Sequence, residues 1–381
     1  KALTAKYFDL YFKSYQMLKI PDSGNLVATN ENTLMYKKIN ELFIKANKSV
    51  GLRYKTFKVS LDYKSIFYTR DTASVNVFMS CEYSYSTSPN IKSYLKNIAY
   101  QFSLVYENGH YKIVSIDSDF DQFGSFKKAV VEKMVSKRLS RLDAINQTAE
   151  EQSKAIDHTV KFIKDFANES PQYATVWNPT GPLTAPYAFE KDLGVSWAKR
   201  FAEAPLSERF FYTALGNDCT NFVSQCIWAS YGGYVPDNDF QTKNNINNSV
   251  RMVRGIWHGD TGGGTPNWEA VAKLWNYVTA TTANGPRATG TNDNKPFYNL
   301  PPSSIYTGNA LQIRHGSMGN YHHSVFVTHS QNAANQHYSQ ILVSQHTFDK
   351  YNRNLWELIT AWGGNDCYIR QMVFHNTVFS S

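Results

Sequence analysis

The sequence predicts an α+β protein: N-terminal helices and a curved antiparallel sheet, then a long connecting helix and a C-terminal α+β domain. Three observations support this. The first 120 residues place two helical patterns before a series of β-rich segments. A proline-rich stretch follows a long amphipathic segment, and beyond it tryptophan, asparagine and histidine become frequent. The 381 residues, 42% of them hydrophobic, suffice for two domains.

The N-terminal elements follow from periodicity and turn chemistry. Apolar and aromatic residues at helical spacing predict helices over residues 7–18, before Pro21, and over residues 33–48. Segments rich in β-branched and aromatic residues predict four strands, at residues 54–63, 74–85, 98–107 and 111–118. The dipeptide Asn108-Gly109 is a two-residue hairpin signal between the last two strands.

Residues 1–123 are expected to form an accessory α+β domain. Their order of elements resembles the nuclear transport factor 2-like fold, and they hold no cluster of His, Asp and Glu that indicates chemistry. Residues 1–150 contain 22 Lys and Arg against 14 Asp and Glu, whereas residues 151–381 contain 17 of each. The basic half favours an anionic polymer as partner, and a solvated surface without a partner is the alternative. No nucleic-acid-binding signature is present, so nucleic acid is not expected.

Residues 124–185 are predicted to be a helical connector followed by a linker. An apolar stripe over residues 126–166 indicates one long helix or two in series, with the polar stretch 146–154 as the candidate break. The linker is marked by Gly181 and four prolines, Pro171, Pro179, Pro182 and Pro186. The C-terminal domain is therefore placed at residues 186–381. No apolar run is long enough for a transmembrane span, and no signal peptide is expected in this form.

The C-terminal domain centres on residues 216–226, Gly-Asn-Asp-Cys-Thr-Asn-Phe-Val-Ser-Gln-Cys. A tight turn is expected to place Cys219 at the start of a buried helix that ends at Gly232-Gly233, with Asp218 as its N-cap. There the helix dipole lowers the pKa of a thiol, as a nucleophilic cysteine requires. The alternative is a small buried core residue, the role expected for Cys226. The two thiols cannot pair, because seven helical residues separate them by about 10 Å.

The remaining elements of this domain are predicted from periodicity and β-rich composition. Helices are expected over residues 187–202 and 268–278, and residues 237–265 are expected to form a long surface loop. Strands are expected at residues 311–314, 321–328 and 341–346.

Two histidines complete the candidate site. His323 begins one predicted strand and His346 ends the next, so an antiparallel pair places both at one end of the sheet. His323 would take the thiol proton, and His346 would hydrogen-bond to His323 and orient its ring. His322 must point to the opposite face. A zinc site from Cys219, His323 and His346 is disfavoured because no two ligands are closely spaced, so neither metal nor cofactor is expected.

Residues 216–226 resemble the signature of the bacterial putative amidase domain family of secreted and wall-associated Gram-positive proteins. The resemblance extends from about residue 187 to the end and includes three further groups of residues: Trp268, Leu274 and Tyr277; the block 323–325; and the block 343–347 with Asp349, Tyr351, Asn352 and Arg353. That family resembles papain-like cell-wall hydrolases of the NlpC and CHAP types.

The resemblance implies Cys219 as nucleophile, His323 as general base and then acid, and His346 as the orienting residue. Asp349 or Asn352 is the alternative third member. The backbone N–H of Cys219 would form the oxyanion hole, with Tyr212 as a second donor on papain-like analogy. Asp218 and Trp268 are further candidates for the oxyanion or substrate-lining residues, and a core position is the alternative for Trp268.

The implied substrate is peptidoglycan, cut in the stem peptide or at its junction with muramic acid. The implied location is secreted or wall-associated, in a Gram-positive bacterium, with the basic N-terminal domain on anionic wall polymers. The alternative is a non-catalytic wall-binding or structural protein with an inactive hydrolase fold.

Overall fold

The computed structural model describes residues 1–169, 186–213, 218–280, 284–347 and 349–379. The chain forms two compact units, Lys1–Asn168 with Gly363–Asn365, and Glu169–Trp362 with Asp366–Ser381. The predicted linker prolines Pro171, Pro179 and Pro182, and Gly181, lie outside the described residues. No helix in the described ranges combines the length and apolarity needed to cross a membrane.

The first unit begins with helices α1 (Ala2–Met17) and α2 (Glu31–Ser49) and continues with four antiparallel strands. The strands pair in chain order: β1 (Tyr54–Tyr68), β2 (Thr72–Tyr85), β3 (Ser88–Glu107) and β4 (His110–Ser118). The hairpin at Asn108-Gly109 has positive φ at both residues, 52° and 82°, as a type I′ turn requires. The α+β class predicted from the sequence is confirmed.

Aromatic side chains hold α1 against this sheet. Phe8 meets Tyr100 edge-on at 4.8 Å between ring centroids, and Tyr15 stacks on Tyr54 at 5.0 Å. These side chains are all buried, which explains why α1 carries an aromatic residue at nearly every turn. The same spacing made the helix readable from the sequence.

Two further helices, α3 (Asp121–Ser136) and α4 (Arg141–Glu169), complete the first unit up to residue 168. The break between them lies at residues 137–140, where Arg138 has a φ of 52°. Ser140 begins α4 by accepting a hydrogen bond from the Asp143 backbone N–H at 3.1 Å. The predicted break at residues 146–154 is therefore wrong, because α4 continues through that stretch and buries Thr148 and Ala149 within it.

The second unit contains six helices and eight strands among its described residues. In chain order they are α5 (Lys191–Phe201), α6 (Cys219–Ser230), α7 (Asp239–Asn247), β5 (Gly259–Asp260), β6 (Gly263–Gly264), α8 (Pro266–Glu269), α9 (Val271–Thr279), β7 (Ala288–Thr291), β8 (Ala310–His315), β9 (His323–His329), β10 (Leu342–Gln345), β11 (Lys350–Asn354), α10 (Leu355–Ala361) and β12 (Cys367–Phe374). Neighbouring strands pair antiparallel in the order β11-β10-β9-β8-β12-β7, and β5 pairs with β6.

Several boundaries in this unit differ from the prediction. The expected loop at 237–265 contains α7 and the β5–β6 hairpin. Asn238 caps the start of α7, and its side chain accepts a hydrogen bond from the Gln241 N–H at 2.9 Å. The sequence hides α7 because its buried positions are mostly polar. The helix expected at 268–278 is split at Ala270, whose backbone is extended. Strands β11 and β12 and helix α10 were not predicted.

Helix α6 is the centre of the second unit, and every one of its residues is buried. It ends before Gly232, whose φ of 85° supports the predicted stop. Helix α5 crosses it at Gly194, where an added Cβ would lie 2.2 Å from Ser230 Oγ and 2.8 Å from the Cys226 carbonyl oxygen. The absence of a side chain at Gly194 therefore sets how closely the two helices approach.

Replacement of Gly194 by alanine should destabilise the second unit by about 1–3 kcal/mol, because the methyl group overpacks the crossing of α5 and α6. Denaturant unfolding followed by tryptophan fluorescence measures this, since all eight tryptophans lie beyond residue 168. Gly319→Ala is the matched control, because no atom lies within 4 Å of its Cβ position. Equal stability of the two variants would contradict the close crossing.

Candidate active site

Cys219 is the first residue of α6, as the sequence predicted. The turn residues Gly216 and Asn217 lie outside the described residues, and Asp218 occupies the N-cap position. The expected capping bond is absent, because the Asp218 side chain accepts no hydrogen bond from the α6 backbone. Its carboxylate instead accepts from the Asn221 side-chain amide at 2.7 Å. The position of Cys219 at the positive end of the helix dipole is unaffected.

The α6 start is attached to strand β9, which begins at His323. Thr220 Oγ1 and Ser324 Oγ lie 3.0 Å apart and share a buried hydrogen bond. The His323 side chain is buried, lies parallel to the Trp362 ring at 5.8 Å and lowers the pKa of the Cys219 thiol. The thiol itself lies 3.8 Å from Thr220 Oγ1 and 4.0 Å from the His322 carbonyl oxygen. His322, the neighbouring histidine, is exposed. The structure thus brings together the cysteine and the histidine that the sequence singled out.

The surroundings of Cys219 favour its thiolate. Burial raises the pKa of the thiol, but the interaction with the His323 side chain outweighs this, helped by the Ser324 backbone and the Thr220 hydroxyl. The net pKa of Cys219 is below the ordinary value of 9.0. By contrast, burial raises the pKa of Cys226 well above that value. All four cysteines are free thiols, so the difference lies in their environments.

Cys219 should therefore react with iodoacetamide at neutral pH in the native protein, whereas Cys81, Cys226 and Cys367 should not. A lowered pKa extends the thiolate to pH values below 9, so the alkylation rate of Cys219 should fall at a lower pH than that of an ordinary cysteine. Peptide mapping after timed alkylation measures the alkylation rate of each cysteine separately. Alkylation of Cys219 no faster than of Cys226 would contradict the activated thiol.

His346 does not contact His323, contrary to the expectation. It follows β10, and its two ring nitrogens face other partners: Nδ1 lies 2.5 Å from Asp218 Oδ2, and Nε2 lies 3.0 Å from the Phe201 carbonyl oxygen. The ring also stacks on Phe222 at 4.2 Å. His346 is therefore tied to the residue before the cysteine rather than to the histidine beside it.

The comparison with protein families can now be stated. Residues 189–370 match the family model described as "Putative amidase domain". The matched range includes Cys219, His323 and His346 and leaves out residues 1–188. No curated protein matches the chain. The coarser part of the predicted resemblance is thus supported: residues 189–370, just under half of the chain, are similar to a domain described as a putative amidase domain.

The second unit holds a buried arginine that the sequence did not reveal. The Arg209 guanidinium lies 3.3 Å from Asp218 Oδ2, forms an ion pair with Asp349, and places NH1 3.2 Å from His346 Nδ1. Its Nε donates to the Ala204 carbonyl at 2.9 Å. Nothing in the local sequence marks Arg209, because its partners lie 9 and about 140 residues away.

Asp349 and Asn352, the two alternatives for the third catalytic residue, contact other residues of the second unit. The Asp349 carboxylate pairs with Arg209. Asn352 Oδ1 accepts a hydrogen bond of 2.6 Å from Thr328. Thr328 lies five residues along β9 from His323, about 16 Å at the rise of a strand. Neither residue is shown to orient His323, whose ring lies parallel to that of Trp362.

The other candidates are placed as follows. Trp268 is fully buried and donates from its indole N–H to Asn221 at 2.6 Å, so its expected place in the cleft is wrong. Asp218 is 4% exposed and its carboxylate is occupied, which excludes a substrate-lining role for that side chain. Tyr212 is 45% exposed, and its carbonyl accepts from Asn221 in the first turn of α6. The role of Tyr212 as an oxyanion-hole donor remains a prediction.

Two further features complete the description of this domain. A cavity of about 570 Å³ lies beside Arg209, and its walls include Arg200, Glu208, Phe210 and Lys243. Across the described residues, no group of three His, Cys, Asp or Glu side chains is arranged to hold a metal ion.

Proposed function

We propose that the protein is a cysteine-dependent amide hydrolase with Cys219 as nucleophile and His323 as general base and acid. The observation that carries the proposal is the buried thiol at the start of α6, whose pKa is raised by burial but brought below the ordinary value by the neighbouring His323. A structural cysteine needs neither feature, as Cys226 in the same helix illustrates. The match to the amidase family supplies the class of bond.

In the proposed reaction the Cys219 thiolate attacks the amide carbonyl carbon and forms a tetrahedral intermediate. The backbone N–H of Cys219 has no acceptor among the described residues and is directed outward from the helix start, so it is available to the oxyanion. As the C–N bond breaks, protonated His323 gives its proton to the leaving amine and a thioester remains. His323 then takes a proton from water, which attacks the thioester and releases the acid with the thiolate.

The proposed substrate is bacterial peptidoglycan, at the stem peptide or at the muramoyl–peptide junction. Support comes from the resemblance of residues 216–226 and the later blocks to a family of secreted and wall-associated Gram-positive proteins. The proposed relation to papain-like hydrolases rests on the same resemblance. A secreted or wall-associated location is part of the same proposal. The excess of positive charge in residues 1–150 fits binding of that half to anionic wall polymers.

Digestion of purified soluble muropeptides by the full-length protein tests this function. Mass spectrometry of the products should show one amide bond opened with the addition of one water, and the fragment masses identify which bond is cut. Heat-unfolded protein at the same concentration is the control. Intact muropeptides after long incubation with folded protein would reject the proposal and favour a non-catalytic wall-binding protein.

Retention on teichoic-acid-bearing cell walls should fall as salt is added, because screening shortens the reach of exposed charges to about 8 Å at physiological ionic strength. Co-sedimentation of the full-length protein with walls across a salt series measures this. Walls stripped of anionic polymers are the control and should retain less protein at low salt. Binding that is equal on both kinds of wall and insensitive to salt would contradict the electrostatic role.

A further inference from the structure

The two ring nitrogens of His346 both face atoms that accept hydrogen bonds. Nδ1 lies 2.5 Å from a carboxylate oxygen of Asp218, and Nε2 lies 3.0 Å from the carbonyl oxygen of Phe201. A neutral imidazole has one N–H and one lone pair, so it satisfies only one of these partners. Both are satisfied when each nitrogen carries a proton, which makes the ring an imidazolium.

A neutral ring is the alternative, with Nδ1 accepting from Arg209 NH1 at 3.2 Å. In that arrangement the lone pairs of Nδ1 and of Asp218 Oδ2 would face each other at 2.5 Å, which requires a proton between them. That proton belongs on the imidazole rather than on the carboxylate, because an imidazole nitrogen is the stronger base, with a reference pKa of about 6.5 against about 3.9, and Arg209 pairs with the same Oδ2 at 3.3 Å.

The charges around His346 are compatible with an imidazolium. The charged groups around His346 are the carboxylates of Asp218 and Asp349 and the guanidinium of Arg209, and the other faces of the ring meet Phe222 and the Phe201 carbonyl. His346 is 1% exposed as a side chain, Asp218 6% and Arg209 7%. Asp349 is 35% exposed and partly solvated, so Asp218 is the carboxylate that most needs buried partners, and the imidazolium gives it a second one beside Arg209.

This charged group holds the peptide unit that precedes Cys219 from two sides. His346 binds the Asp218 carboxylate, and the next residue, Thr347, accepts a hydrogen bond of 2.9 Å from the Asp218 backbone N–H. The Asp218 carbonyl accepts from the Phe222 N–H at 3.0 Å, which joins this unit to the first turn of α6. The position of the Cys219 thiol relative to His323 therefore depends on this attachment.

We propose that His346 is a positioning residue: as an imidazolium it donates from both ring nitrogens and, with Thr347, fixes the backbone that presents Cys219. Its role in hydrolysis rests on the function proposed above, whereas its protonation does not. His346 thus acts on the nucleophile through Asp218 and has no part in orienting His323.

Nitrogen-15 NMR of the histidine rings tests the protonation at pH 8, where ordinary histidines, with a pKa of about 6.5, are neutral. Cys219→Ala protein is used, because it removes the thiolate that pairs with His323. One ring should retain protons on both nitrogens, and its signal should disappear with an added His346→Gln and persist with an added His323→Gln. Neutral rings throughout, or a signal lost with His323→Gln, would overturn the proposal.

Asp218→Asn tests the positioning step. In the Cys219→Ala background it should convert the His346 ring to a neutral tautomer at pH 8, because the anionic acceptor is gone. With Cys219 present it should lower kcat for muropeptide cleavage on the order of 100-fold, the cost of a misplaced nucleophile, with little change in KM. Unchanged kcat with a neutral ring would reject the positioning role. Failure of the native protein to cleave muropeptides would reject the proposed function and leave the NMR result standing.

Discussion

Replacement of Cys219 by alanine is expected to abolish amide hydrolysis, with a fall in kcat of about 10⁴-fold or more, because no other group can form the thioester. The product rate from muropeptides, followed by liquid chromatography, measures the loss. The same variant should keep its fold, since Cys219 contributes only a small side chain to the helix start. Circular dichroism and the tryptophan emission check that point.

Cys226→Ala is the matched control for this variant. Cys226 lies in the same helix, is fully buried, and has a pKa raised well above the ordinary value, so it is not available as a thiolate. Its replacement should leave the rate of hydrolysis close to native and lower stability modestly. Hydrolysis retained by Cys219→Ala, or lost equally in both variants, would show that the wrong thiol has been assigned.

Replacement of Arg209 by methionine should destabilise the second unit by about 3–5 kcal/mol. Methionine fills a similar volume but leaves the Asp218 and Asp349 carboxylates without their guanidinium partner, and one of them is almost completely buried. Guanidinium chloride unfolding followed by tryptophan emission reports this unit specifically, because residues 1–168 contain no tryptophan.

Arg200→Met supplies the comparison for Arg209. Arg200 makes a two-pronged ion pair with Asp239 at 2.5 and 2.7 Å, but the two side chains are 36% and 49% exposed. An exposed pair contributes about 0–1 kcal/mol, so this variant should be close to native in stability. Equal losses for the two arginines would contradict the account of a buried charged group behind Cys219.

The sequence predicted the parts of the site that depend on local patterns. Cys219 at the first position of α6 and His323 at the first position of β9 follow from helix and strand signals in their own neighbourhoods. Their proximity is also predictable, because in a layered domain a strand and a helix that begin at the same end place their first residues close together. The aromatic spacing of α1 and the Asn108-Gly109 hairpin were readable for the same reason.

The predictions that failed concern contacts between residues far apart in the chain. His346 was predicted to reach His323, but its ring instead binds Asp218 and Phe201, 128 and 145 residues earlier in the chain. Periodicity carries no information on such pairings. Trp268 was a similar case, because a large aromatic residue at a helix start suits a cleft wall and a core position equally, and only its contact with Asn221 decides between them.

The most direct test of the central claim relates hydrolysis to modification of a single thiol. Samples of the native protein alkylated for increasing times are assayed on muropeptides, and peptide mapping gives the fraction of Cys219 modified in each. The account predicts that the residual rate falls in proportion to that fraction and reaches zero when Cys219 is fully alkylated. Hydrolysis that persists with Cys219 completely modified would contradict it.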